Sequence, residues 1–184
     1  MSRIQLATLL LAAGLLATPD LARAARADDP MASCPMHAQH SPASRSAATL
    51  DEAGDRVMGF DHARTTHHFL IEKDGGTIRV EVNDAADAQS REAIRRHLAA
   101  IAQAFATGDF SSPGAVHDRV LPGIDEMIRL KDLIHYRFED TERGAQVRIT
   151  TSDAQALAAV HSFLRAQIGD HRTGDPVAPP ASRR

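Results

Sequence analysis

The run His67-His68-Phe69-Leu70-Ile71-Glu72-Lys73-Asp74-Gly75-Gly76-Thr77-Ile78-Arg79-Val80-Glu81-Val82 decides the fold. Its first residues alternate, with His67, Phe69 and Ile71 on one face and His68, Leu70 and Glu72 on the other, which is the period of a strand with one side toward a core. Asp74-Gly75-Gly76 turns the chain, and Ile78, Val80 and Val82 alternate back, so the segment predicts a β-hairpin with one apolar face. A helix over 87–106 is expected next. Ile94, Leu98, Ile101 and Phe105 recur at helical spacing there, and Gly108 stands where a left-handed C-cap belongs.

The same plan recurs downstream. Ile134, Tyr136 and Phe138 alternate on a strand, Thr141 to Gly144 makes a turn, and Val147 and Ile149 return. Ser152 with Gln155 reads as a capping box opening a helix over 153–168, closed by Gly169. Superimposed, His68-Phe69 falls on His135-Tyr136, Glu72 on Glu139 and Arg79-Val80 on Arg148-Ile149. The expected fold is therefore α+β, a two-layer sandwich built from a duplicated β-hairpin-helix (ββαββα). Its four-stranded antiparallel sheet carries both long helices on one face. Residues 110–133 are expected to be a linker with a short helix near 124–130. The other sheet face would carry His68, Glu72, Arg79, Glu81, His135, Arg137, Glu139 and Arg148, as a solvated surface, a dimer surface or a shallow anion site.

Outside this core the chain changes character. Arg3 precedes an apolar run from Ile4 to Ala17, and Ala22-Arg23-Ala24 and Ala25-Arg26-Ala27 offer small-x-small cleavage patterns, so residues 1–27 read as a signal peptide. Residues 28–55 and 175–184 are rich in Ala, Ser, Asp and Pro and are expected to be a disordered leader and tail around a single domain at 56–174. Export implies a periplasmic or secreted protein with no membrane insertion after cleavage. Of the 21 basic and 24 acidic residues, cleavage removes three arginines and one aspartate; the remaining 18 and 23 give a net charge of about −5. That charge does not suit nucleic acid. The chain has 184 residues, a single cysteine, no tryptophan and ten histidines, so it holds no disulfide framework and is unusually rich in imidazole.

The leader reads Cys34-Pro35-Met36-His37-Ala38-Gln39-His40. It resembles the Cys-Pro-Met-His segment of small heavy-metal-binding domains attached to bacterial copper exporters. Cys34, Met36, His37 and His40 are soft ligands that suit copper in its reduced state and are acceptable to zinc. In the core, His161 lies on the apolar stripe of the second helix, His97 borders that of the first, and His67 takes a core-facing position at the mouth of the first strand. Three buried imidazoles need hydrogen bonds or a metal. Met58, nine residues before His67, adds a thioether, which favours copper; completion by Asp61 or Asp118 would favour zinc or iron. His68 and His117 are further candidates. No Gly-x-Ser-x-Gly elbow, phosphate loop, dinucleotide fingerprint or His-Glu-x-x-His occurs.

Met58-Gly59-Phe60-Asp61, Thr65-Thr66-His67-His68-Phe69, and Phe163-Leu164-Arg165-Ala166-Gln167-Ile168 with His171 and Thr173-Gly174-Asp175 resemble an uncharacterised family of small exported bacterial proteins, over residues 57–175. The resemblance implies that Met58, His67, His68, His97, His117, His161 and His171 belong to that family's pattern and that the Cys34 segment does not. The expected function is a periplasmic metal-binding protein, a copper carrier, buffer or tolerance factor. The alternatives are a small metalloenzyme or redox protein, and an interaction module with structural histidines that meets a periplasmic partner or a second copy of itself.

Overall fold

A computed structural model of the chain describes residues 46–181. Residues 1–27, expected to be a signal peptide, and the Cys34, Met36, His37 and His40 segment lie outside the described residues. Strands β1 (Thr65–Glu72) and β2 (Gly75–Val82) form the first hairpin, and β3 (His135–Thr141) and β4 (Gly144–Thr150) the second. The helices are α1 (Ala47–Met58), α2 (Ala88–Thr107), α3 (Ser111–His117), α4 (Ile124–Arg129) and α5 (Ala154–His171). The four strands make one antiparallel sheet in the order β1-β2-β4-β3. The protein is thus an α+β two-layer fold, as the alternation and repeat imply.

The register keeps that alternation intact. Phe69 pairs with Ile78, Ile78 with Val147, and Val147 with Phe138, so one row of apolar side chains crosses all four strands on the core face. His68, Arg79, Gln146 and Glu139 form the matching row on the opposite face. The charges on that face largely pair among themselves. Arg79 donates to Gln146, Gln146 to Glu139, and Arg148 to Asp74 at 2.6 Å. The helices cross over between repeats: α2 packs on β3 and β4, whereas α5 packs on β1 and β2. Each half therefore buries its helix on the other half's hairpin, and neither has a core alone.

Several boundaries differ from the sequence-based expectations. Residues 47–55, expected to belong to a disordered leader, form most of α1, which continues to Met58. Ser46 caps its N-terminus and Gly59, with φ of 77°, ends it; Leu50 and Ala53 are buried. The linker holds α3 as well as α4, because Pro113 sits in the first turn of α3, where its missing N–H costs nothing. Helix α5 runs through Gly169 to His171 before Arg172 closes it in a left-handed conformation, and its N-cap is Asp153, which accepts from Gln155 and Ala156. The expected capping box does not form. From Arg172 to residue 181 the tail lacks regular structure yet is tied down: Asp175 accepts from the Phe69 backbone N–H at 2.9 Å and contacts His68 Nδ1 at 2.9 Å, and Arg165 donates to the Val177 carbonyl.

The first hairpin turns more tightly than expected, with strand pairing resuming at Gly75. Gly75 has φ of 148°, and a Cβ there would stand 2.0 Å from the Ile149 carbonyl oxygen on β4. Gly75→Ala is expected to destabilise the protein by about 2–4 kcal/mol in urea unfolding, because β2 and β4 would have to separate locally.

Candidate functional site

Five side chains converge at one end of the sheet. Met58 comes from the last turn of α1, His67 from the inner face of β1, His97 from α2, His117 from the end of α3 and His171 from the last turn of α5. Met58 Sδ lies 3.3 Å from His67 Nε2. The His67 ring stacks on that of His171, with centroids 5.8 Å apart and planes 9° from parallel, and also on Phe60 at 6.0 Å. His171 meets His117 edge-on at 5.1 Å, and His97 meets Phe60 edge-on at 5.9 Å. Gly54, inside α1, gives the thioether its space: a Cβ at that position would stand 3.1 Å from Met58 Cε.

The setting keeps these imidazoles neutral. Burial lowers His67 to about 4, assisted by the neighbouring His97; burial alone lowers His97 to about 4; and burial, with His67 and His117 nearby, lowers His171 to about 3. Neutral imidazoles are the form that binds metals.

The remaining expected ligands are engaged elsewhere. His161 does lie on the inward side of α5, but at the opposite end of β1. There its Nε2–H donates to the Glu72 and Gly75 carbonyls at 2.8 and 3.1 Å, closing the first hairpin. The expected convergence of His67, His97 and His161 does not occur. His68 lies on the outer face and holds the tail through Asp175. Buried His117 places Nε2 2.9 Å from Gln167 Oε1; its Nδ1 lies 2.7 Å from Asp170 Oδ2, off the line of a good hydrogen bond, and the same carboxylate oxygen accepts from Arg119 at 2.6 Å. Asp118 ends α3 as a left-handed cap. His171 replaces His161 in the cluster. Sequence reasoning missed it because Gly169 reads as a helix stop, although Gly169 is exposed and meets no steric obstacle within the helix.

Among the described residues, one set of three His, Cys or acidic groups brings donor atoms within 4.8 Å of one another: half-buried Asp55 with exposed Asp61 and His62. His62 Nδ1 contacts Asp55 at 2.9 Å, and this bond, together with nearby Asp51 and Asp61, raises the His62 pKa. Arg172 reaches the same region and contacts Asp51 at 2.9 Å.

Two cavities meet at the cluster. An inner chamber of about 60 Å³ has mainly apolar walls and no acidic lining residue. An outer vestibule of about 280 Å³ is bordered by Asp51, His62, Thr66, Arg172 and Thr173. Met58, His67 and His171 line both. No family model, curated protein or solved structure matches the chain.

The cluster dictates how stability depends on pH. Once unfolded, His67, His97 and His171 titrate near 6.5, whereas in the folded protein they resist protonation down to about 4, 4 and 3. The unfolded state therefore binds protons first as pH falls, so stability is complete above about 6.5 and declines from there to about pH 3. Three such groups give a maximal slope of about 4 kcal/mol per pH unit. Urea titrations from pH 7.5 to 4.5 are expected to show this decline, and His67→Phe, which keeps the stacked ring without the titrating group, to reduce its slope by about a third.

Proposed function

We propose that the protein is an exported soft-metal binder whose ion is copper in its +1 state, held at Met58 and His67, and that it acts as a carrier, buffer or tolerance factor. The observation that carries this reading is the 3.3 Å separation of Met58 Sδ and His67 Nε2. A metal–sulfur bond of about 2.3 Å and a metal–nitrogen bond of about 2.0 Å, meeting near the tetrahedral angle, span about 3.5 Å. One ion fits between the two donors with little movement. In the metal-free protein the Nε2–H donates weakly to sulfur; when the ion enters, the remaining ring proton resides on Nδ1.

Charge and softness support the same choice. A thioether and neutral imidazoles favour Cu(I) over hard cations. No carboxylate lines the inner chamber, so nothing there offsets a second positive charge. Because the cost of burying an ion grows with the square of its charge, a neutral donor set in an apolar wall discriminates against Zn(II) and Cu(II). His171, stacked against His67, is the nearest source of a third donor.

Competition titration of the purified protein with Cu(I) against a chromophoric chelator tests the reading. The Cys34 segment supplies its own soft donors, so the core site is read as the stoichiometry lost in variants. Met58→Leu and His67→Ala are each expected to remove one equivalent of Cu(I), and His161→Ala to remove none. Full stoichiometry in both Met58→Leu and His67→Ala would overturn the assignment.

A further inference from the structure

The inner chamber extends past the Met58–His67 pair to Ile78 and Val80 of β2 and Leu98 and Ile101 of α2. These wall residues are almost completely buried, and the sheet and helix beneath them are otherwise tightly packed. A partly open chamber of about 60 Å³ therefore reaches from the vestibule side into an apolar, otherwise buried layer. Since a water molecule needs about 10–15 Å³ of such space and two to four polar partners, the chamber has room for more than one water but little to hold them. Its polar atoms are mostly committed: His67 Nε2 faces Met58 Sδ, and both nitrogens of His117 face Gln167 and Asp170. The Ser112 hydroxyl and the edges of His97 and His171 are left to meet a polar atom.

We infer that this chamber is a binding site for a small uncharged molecule, apolar over most of its surface and carrying at most one polar end. It enters from the polar vestibule past Met58, His67 and His171, the three residues common to both cavities. The absence of an acidic or basic side chain from the lining, apart from neutral imidazoles, disfavours anions and hard cations beyond the Met58–His67 pair. Occupancy requires no metal, so the inference stands whether or not Met58 and His67 hold copper. If they do, the bound molecule lies beside the open side of the ion.

Xenon is a suitable probe, being uncharged, polarisable and small enough for the space. Methyl-resolved NMR of the full metal-free protein under increasing xenon pressure is expected to show saturable shifts at Ile78, Val80, Leu98 and Ile101. Sodium formate, comparable in size but charged, is expected to cause none. Val80→Ile and Val116→Ile each fill the chamber from a different element and are expected to abolish the saturable shifts, while retaining the dispersed methyl spectrum of a folded protein. The inference fails if xenon produces no saturable shift at these methyls, if folded filling variants respond as the parent does, or if formate shifts the same methyls.

Discussion

An imidazole packed largely among apolar groups must stay neutral and be screened over most of its ring, and at one end of this sheet His67 imposes that demand on most of the helical layer. Phe60, Phe69 and His171 pack against its ring, and Met58 meets its outer nitrogen. Those neighbours come from the α1–β1 connection, β1 itself, α5 and α1. His97 and His117 extend the assembly to α2 and α3. The helical layer is thus organised around a group that most cores exclude. The same desolvation that makes the cluster costly to protonate leaves its nitrogens as neutral donors.

The crossed arrangement of the long helices explains why this cluster can be assembled from distant residues. Because α5 of the second repeat lies over the first hairpin, its last turn comes to rest beside the start of β1, more than one hundred residues earlier in the chain. The first turns of α5 lie toward the other end of that hairpin, where His161 satisfies the Glu72 and Gly75 carbonyls. Two histidines ten residues apart on one helix therefore serve opposite ends of the same hairpin, one as a hydrogen-bond donor to backbone and one in the imidazole stack.

Much of this was legible in the sequence because sheet register is a local property. The alternation through Phe69, Ile78, Val147 and Phe138 identified the core face of every strand and put His67 on it. The spacing of Ile94, Leu98, Ile101 and Phe105 located α2 and, with it, His97. Met58 and His67 were paired as ligand types, but their contact depends on α1, whose Ala- and Asp-rich composition resembles a linker. Its signals, Ser46 before the helix and Gly59 after it, are short and easily outweighed by composition. His171 was lost to a local rule: glycine often ends a helix, yet the packing of Phe163, Leu164 and Ile168 carries α5 past Gly169. His161 was legible as inward-facing, but which end of the sheet it serves follows from the crossing of the helices, which neither repeat encodes by itself.

The tail has a consequence for assembly. Strands β1 and β3 are the two edges of the sheet, and the Asp175 carboxylate occupies an outward N–H of β1 while the following residues, Pro176 among them, run beside it. Proline offers no N–H of its own, so a strap of this kind cannot itself recruit another strand. Capping one edge limits edge-to-edge growth to the other. Two copies joined through β3 would each turn a strapped edge outward, so such a union would close on itself as a pair instead of propagating into a fibre.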